Sequence, residues 1–423
     1  MRVATGLGAT ALTAAFVVVA PVAPATADAG AVCSSISDPS TPIEEPTTDS
    51  SVPLEQMKVR EAQKQLDRMD VIPGEGVVVA VVDSGISGTN IPVIGAFPDG
   101  TPSLTLDSPH GTAVAGLIAG GPTPEDKPVG IAPGAELLDV RVYDDDSGDE
   151  DKVALSTEGV TAGLNWMLSL DTVKEINIVN ISLEVEPSPE LGAAVRALQK
   201  KGVIVVASAG DRGAEVDAVA DEGGEESETA GENQINEVAP AGYPDVVTVT
   251  AAFEDDEDPT DFVVQNSAID VAVPVDSAVS WAVNGQPCLL QQLEQPTSWA
   301  AAQVSGILAM LISAYPKDSP QQIVARLYAT ATGTLDGETL NPLTGRGIVQ
   351  PVEAIRRKLD ISKDGVVRTS TLTDEDSSRA EPPRDEADLL ASTRENAVWW
   401  GLLAGGALVT AALLRPVLAR RRR

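Results

Sequence analysis

The sequence predicts an α/β protein in which a doubly wound parallel sheet carries helices on both faces. Continuous apolar runs rich in β-branched residues indicate strands that are buried on both sides. Helical patterns separate these runs, and this alternation is typical of βαβ units. The predicted strands are 77–82, 137–142, 176–181, 203–207 and 246–251, and the predicted helices are 56–70, 110–119, 157–169, 190–200, 298–314 and 320–331.

Composition narrows the possible partners and cofactors. The 423 residues carry a formal net charge of −34, which argues against nucleic acid because binding phosphate needs a basic surface. Three acidic runs, 144–151, 215–232 and 254–261, interrupt the α/β pattern. Carboxylate oxygens are ligands for calcium, but none of the runs has EF-hand spacing. We therefore interpret them as solvated insertions and predict no cofactor, with calcium unsupported by a specific motif.

The N-terminal 27 residues have the pattern of a signal peptide. A positive Arg2 precedes an apolar stretch, and the small residues of 25–27 form an A-x-A cleavage site. An uncleaved signal anchor is the alternative. Residues 28–70 then read as an extended arm followed by a helix, before a predicted main domain over 71–355.

A second apolar run covers 397–414, after a charged linker over 356–396. Eighteen residues is within the range of roughly 17–25 that spans a bilayer. Trp399 and Trp400 stand at its start, and a basic tail over 415–423 follows it. The positive-inside rule places this tail in the cytoplasm, so we predict a single-pass membrane protein with an extracytoplasmic body. A buried core helix is the alternative.

Cys33 and Cys288 are the two cysteines of the chain. An even count in an exported protein predicts one disulfide bond, which would tie the arm to the region before Ser298. Two free buried thiols are the alternative. A single histidine and two distant cysteines do not supply the ligand spacing of a zinc site.

Three short segments contain the residue types of an acyl-transfer site. Asp83 follows the first strand, while His110 and Ser298 each open a helix. A serine hydroxyl needs an adjacent base to become a nucleophile, and a carboxylate must orient the imidazole and stabilise its charged form. His110 is the only histidine, so any such site must use it. We predict a catalytic triad of Asp83, His110 and Ser298.

The three residues occur in the order Asp, His, Ser along the chain, and in this order the chain resembles the subtilisin family over roughly 74–355. Within that family, the signal peptide, the arm, the C-terminal anchor and the closing segment 345–351 are similar to those of mycosins. These are membrane-anchored subtilases of type VII secretion systems. The resemblance implies a serine endopeptidase that cleaves few secreted proteins and associates with the secretion membrane complex.

The resemblance also implies an oxyanion site and a substrate-binding surface. Subtilases usually place Asn after the glycine that is Gly210 here, but this chain has Asp211. The oxyanion donors would be the Ser298 amide and Asp211, which can donate only when it is neutral; we therefore expect an optimum at lower pH. Pro296 and Ala302 are further departures, and the implied substrate-lining residues are Ser182, Leu183, Glu184, Ser208, Ala209 and Gly210.

Three functional hypotheses remain open from the sequence. The first is an active, membrane-anchored serine endopeptidase. The second is a structural component of a secretion complex with little proteolysis, which the departures around the site favour. The third is a competent peptidase that is held back by its own arm, residues 28–51.

Overall fold

The computed structural model describes residues 31–36, 38, 40, 43, 47, 49–98, 100, 106–145, 149, 151–212, 238–253, 258–291, 296–333, 340–368 and 391–420. The chain divides into two compact units, Met1–Arg368 and Thr369–Arg423. The predicted signal peptide and the acidic run 215–232 lie outside the described residues.

A seven-stranded sheet forms the centre of the first unit, with the order β2-β3-β1-β4-β5-β6-β7. Every neighbouring pair of these strands is parallel, which confirms the predicted doubly wound sheet. The strands are β1 (Val78–Asp83), β2 (Val93–Phe97), β3 (Glu136–Arg141), β4 (Ile176–Ile181), β5 (Ile204–Ser208), β6 (Val247–Ala252) and β7 (Val271–Pro274).

Helices cover both faces of the sheet and give it two apolar layers. Alternate residues of β1 explain this arrangement: Val79 and Val81 belong to one core cluster, and Ala80 and Val82 belong to the other. The helices are α1 (Val52–Gln56), α2 (Val59–Asp67), α3 (His110–Ala119), α4 (Thr157–Ser169), α5 (Pro189–Lys200), α6 (Pro296–Ala314), α7 (Pro320–Thr330) and α8 (Pro351–Arg356).

Local sequence accounts for where several helices begin. Ser156, Ser188 and Ser319 accept hydrogen bonds from backbone amides of the first turns of α4, α5 and α7, as N-cap residues do. Helix α6 is different because nearly every residue is buried. Its length and apolar composition would suffice to cross a membrane, but 83% of its apolar window is buried inside the protein. We therefore interpret α6 as the central core helix.

The prediction of one continuous helix over 56–70 is wrong. The segment contains the end of α1 and the whole of α2, and Lys58 between them has a left-handed backbone with φ of 55°. An α-helix cannot pass through that conformation. The break turns α2 so that Val59, Ala62 and Leu66 are fully buried.

Several strands were not expected from the sequence. β2 contains a glycine within its short apolar run, and only Ala96 of its five residues is buried. β7 is four residues long. Two antiparallel hairpins complete the unit: β8 (Ala278–Trp281) with β9 (Pro287–Leu290), and β10 (Asp360–Ile361) with β11 (Val367–Arg368). The second hairpin falls within the predicted linker, and the first compact unit includes it.

The N-terminal arm is joined to the first of these hairpins. A disulfide bond links Cys33 to Cys288, which confirms the predicted bond, and Val32 forms a parallel bridge with Leu289. The hairpin in turn packs on α3, where the Ser280 hydroxyl donates to the carbonyl oxygen of Ala113 at 2.6 Å. The arm is therefore anchored to the element that supports the helix of His110.

The described part of the second unit is a single helix, α9 (Ala391–Arg420). It is 30 residues long and contains an apolar stretch over Trp399–Arg415. This stretch coincides with the predicted membrane segment, whose crossing of a membrane stays a prediction.

Candidate active site

Asp83 is the last residue of β1 and is fully buried. Its Oδ1 lies 2.8 Å from Nδ1 of His110 and also accepts the backbone amide of Ser84 at 2.8 Å. An ionised carboxylate at this position favours the imidazole tautomer that carries its proton on Nδ1. The carboxyl end of a parallel strand is where open α/β sheets place their sites.

His110 is the first residue of α3, and 7% of it is exposed. The close approach of α3 to the turn after β1 requires glycine at the next position. A Cβ atom on Gly111 would lie 2.5 Å from the Gly85 carbonyl oxygen and 3.0 Å from Oδ1 of Asp83. The Gly111 amide instead donates to the Ser84 hydroxyl at 3.0 Å. The His-Gly pair therefore brings the imidazole against the aspartate.

Ser298 is the third residue of α6 and is 5% exposed. Pro296 is the first residue of this helix, a position where proline costs nothing because the amide would have no intrahelical partner. The ring of Trp299 lies 4.9 Å from the His110 ring, so the serine segment adjoins the imidazole. The Ser298 hydroxyl donates to the carbonyl oxygen of Ser182 at 2.9 Å, and it must rotate before it can donate to an imidazole nitrogen.

A buried polar chain fixes the serine segment on β4. The Ser182 hydroxyl donates to the Ser298 carbonyl oxygen at 3.0 Å and accepts from Nδ2 of Asn180 at 2.9 Å. Oδ1 of Asn180 accepts from the Ser305 hydroxyl at 2.9 Å, and Ser305 lies about two helical turns after Ser298 in α6. Buried networks of this kind hold one geometry because a broken link leaves an unsatisfied group.

Asp211 follows β5 and faces the start of α6. Its Oδ1 accepts the Thr297 amide at 2.9 Å, and its own amide donates to Oε1 of Glu184 at 2.7 Å. Burial raises the pKa of Asp211 to about 7, although the Thr297 amide and His110 both lower it. Burial, and then the charge of Asp211, raise the pKa of Glu184 to about 8. The two acids therefore form a pair that holds protons near neutral pH.

The predicted substrate-lining residues lie where β4 and β5 end side by side. Ser182, Leu183, Ser208 and Ala209 are all buried, and Glu184 is half-buried beside them. Gly210 has φ of 117°, and a Cβ atom there would lie 2.7 Å from the Val264 side chain. Only glycine suits both the backbone and the space. The structure brings the two segments together, and their contact with a substrate stays a prediction.

Among the described residues, no group of three or more His, Cys, Asp or Glu side chains is arranged to hold a metal ion. The acidic runs 144–151 and 254–261 are described only in part.

Sequence reasoning missed four residues that shape this site: Trp299, Asn180, Ser305 and Asp139. Asn180 and Asp139 are polar residues at buried positions of β4 and β3, each between two apolar residues. Such an interruption is the available signal, because a buried polar group requires a partner. The identity of the partner depends on contacts between distant segments, so a local pattern does not reveal it.

The parallel sheet, with Asp83 against His110 beside the segment of Ser298, has the arrangement of a candidate subtilisin-like hydrolase site. Residues 74–348 match the profile of the subtilase family. Mycosin-1 of Mycobacterium tuberculosis is 31% identical over 67% of this chain and 69% of its own length. The chain therefore belongs to the subtilase family, and this relative places it among the mycosins.

Solved structures agree with this assignment. A structure described as the MycP3 protease from the type VII (ESX-3) secretion system matches with a TM-score of 0.56 and 28% identity, over 74% of this chain and 90% of the other. A second structure is described as the serine protease MycP1, an essential component of the type VII (ESX-1) secretion system. It matches with a TM-score of 0.57 and 25% identity, over 78% of this chain and 96% of the other.

Proposed function

We propose that this protein is a membrane-anchored, extracytoplasmic serine endopeptidase of the mycosin type that acts on few secreted proteins. The observation that carries the proposal is the 2.8 Å contact between Asp83 and His110 beside the segment of Ser298. Membership of the subtilase family supports the same reaction class.

In this proposal Ser298 attacks the peptide carbonyl carbon after its hydroxyl turns from the Ser182 oxygen toward His110. His110 takes the hydroxyl proton and later gives it to the leaving amine. Asp83 keeps the imidazole in the required tautomer and stabilises the imidazolium. The attack leaves the acyl group bound to Ser298 as an ester. Water, deprotonated by the same histidine, then attacks this ester and releases the acyl group as a carboxylic acid.

The oxyanion site in this proposal is made by the Ser298 amide and a neutral Asp211. A carboxylic acid in an apolar site can donate a hydrogen bond to a developing oxyanion, and removal of one oxyanion donor costs roughly 10²–10³ in turnover. Because burial raises the pKa of Asp211 to about 7, the donating form is available below that pH. An ionised Asp211 would repel the negative charge.

A fluorophosphonate probe tests the reaction class. The full-length protein, purified in detergent, is expected to label at Ser298 between about pH 5 and 8, the range where histidine titrates. Ser298→Ala should abolish labelling. Ser313→Ala is a matched control at the far end of α6, where its hydroxyl bonds to the Met310 carbonyl, and should label normally. Absence of Ser298-dependent labelling would contradict the proposal.

The proposed location rests on α9. Trp399 and Trp400 are the first two residues of its apolar stretch, and aromatic residues are enriched at membrane interfaces. We expect the full chain to stay with the membrane fraction after alkaline carbonate treatment, whereas a chain ended after Arg368 should be released. Release of both forms would contradict anchoring by α9.

A second candidate function is that of a structural component of a type VII secretion complex. The MycP1 neighbour is described as an essential component of the type VII (ESX-1) secretion system, which favours this function, as do Asp211 and Glu184 in this chain. The two functions separate in a strain that lacks the gene. Secretion restored fully by Ser298→Ala would support the structural role, and secretion restored only by the unchanged chain would support the peptidase.

A further inference from the structure

Asp139 is a buried acid that the proposed mechanism does not use. It lies in β3, next to β1, and 2% of it is exposed. In the parallel register Asp139 pairs with Val81, two residues before Asp83. Side chains at i and i+2 of a strand point to the same face, so Asp139 and Asp83 share one side of the sheet.

The side chain of Asp139 supports the turn that follows Asp83. Its Oδ2 accepts the backbone amide of Ile86 at 3.1 Å. The next amide, of Ser87, donates to the Thr112 hydroxyl of α3 at 2.9 Å. The turn that leads from Asp83 to these two amides passes through Gly85, which has φ of 105°. Asp139 and α3 therefore fix the same turn from two sides, and that turn carries Asp83 on one end.

The second oxygen of Asp139 is buried and has no hydrogen-bond partner among the described residues, and the same holds for Oδ2 of Asp83. A buried anion without full compensation is costly, which favours the neutral acid. Burial raises the pKa of Asp139 to about 7; the Ile86 amide lowers it, the charge of Asp83 raises it, and Arg141 lowers it. Arg141 in turn forms ion pairs with Asp107 and Asp144.

We propose that Asp139 is a positioning residue for the Asp83–His110 pair: through the Ile86 amide it holds the turn that carries Asp83, and through its charge it controls the basicity of His110. Below neutral pH the acid is uncharged and acts only as an anchor. Above neutral pH it adds a second negative charge near Asp83, which favours the protonated imidazole. The inference rests on the proposed function only in the role given to that pair.

The chain's single histidine makes this inference measurable without turnover. In the Ser298→Ala protein, the ring carbon resonances of His110 are followed by NMR against pH. Asp139→Asn keeps an acceptor for the Ile86 amide and removes the charge, so the pKa of His110 should fall by roughly one unit. Asp144→Asn is the matched control: it removes a charge near the end of the same strand, without contact to the turn, and should shift the pKa much less.

The anchoring role of Asp139 is tested by Asp139→Ala, which removes both the charge and the acceptor for the Ile86 amide. The Nδ1 proton resonance of His110, which reports its bond to Asp83, should persist in Asp139→Asn and broaden or vanish in Asp139→Ala. The titrations are repeated with Asp211→Asn, because Asp211 also interacts with the histidine. An unchanged pKa of His110 in Asp139→Asn would overturn the inference, whether or not Ser298 labels.

Discussion

The backbone amide of Asp211 donates to Oε1 of Glu184 at 2.7 Å, so the buried Asp211 and the half-buried Glu184 stand together beyond the ends of β5 and β4. Like charges this close cannot both ionise without cost, and the pair titrates as a unit. The position expected to supply an oxyanion donor is thus occupied by a group whose donor capacity depends on pH. This relationship makes the pH profile the most informative property of the protein.

Asp211→Asn should remove the loss of activity at high pH. In the unchanged chain we expect kcat/KM to fall above about pH 7, where Asp211 loses its proton. An asparagine amide donates at any pH, so the variant should gain activity there, up to roughly 10²–10³-fold if the donor is fully effective. Kinetics on a peptide substrate across the pH range measure this effect. Equal profiles for the two proteins would remove Asp211 from the oxyanion site.

Glu184→Gln is the matched variant from the same pair. Glutamine keeps an oxygen for the Asp211 amide but does not ionise. Because burial, rather than Glu184, is the main cause of the raised pKa of Asp211, the decline of activity above about pH 7 should persist in this variant. A profile that becomes flat, as expected for Asp211→Asn, would instead assign the decline to Glu184.

Asp83→Asn should lower kcat by about 10⁴-fold while leaving the fold intact. The amide matches the carboxylate in shape, but it is uncharged and can donate to Nδ1, which favours the wrong imidazole tautomer. The same substitution has this magnitude in a triad of the same geometry on an unrelated fold. The measurement is kcat with a peptide ester, supported by circular dichroism to verify folding. A loss below tenfold would mean that Asp83 does not orient His110.

Much of the fold was predictable from local pattern. The helix over 110–119 agrees to the residue with α3, because Pro109 and Gly120 bound an apolar run. The strand over 176–181 agrees with β4 because four of its six residues are β-branched isoleucine or valine, which favour a strand. β2 was missed because Gly95 interrupts its short apolar run and because it pairs with only one neighbouring strand, β3, so that most of its residues are not fully buried. The break at Lys58 was missed because its left-handed backbone leaves no sequence signal.

The site was predictable at the level of residue types and not at the level of their partners. A strand end, two helix starts and a lone histidine suffice to choose Asp83, His110 and Ser298 as candidates, and their catalytic roles stay a prediction. The chemistry of Asp211 depends on Glu184 and Thr297, which are 27 and 86 residues away in the sequence. Such contacts exist only once the sheet has formed, so the raised pKa of Asp211 has no local pattern.

The stability of the fold should fall as pH rises, and Asp139→Asn should reduce that fall. Asp139 has a folded pKa of about 7, above its ordinary value of 3.8. Its proton therefore stabilises the folded state fully below about pH 4, and this contribution disappears as pH rises through about 7. This difference of about three pKa units corresponds to roughly 4 kcal/mol in the free energy of unfolding. Urea unfolding at several pH values measures the slope, and an identical slope in both proteins would contradict this assignment.

Removal of the disulfide tests both stability and the arm. Cys33→Ser with Cys288→Ser should lower the free energy of unfolding by about 2–5 kcal/mol, because it frees the arm from the hairpin β8–β9. The arm also contacts this hairpin where the Thr47 amide donates to the Pro287 carbonyl at 3.4 Å. If the arm only supports the hairpin, the rate of fluorophosphonate labelling at Ser298 should stay unchanged at temperatures where both forms are folded. A severalfold increase in that rate would instead favour the hypothesis that the arm holds the peptidase back.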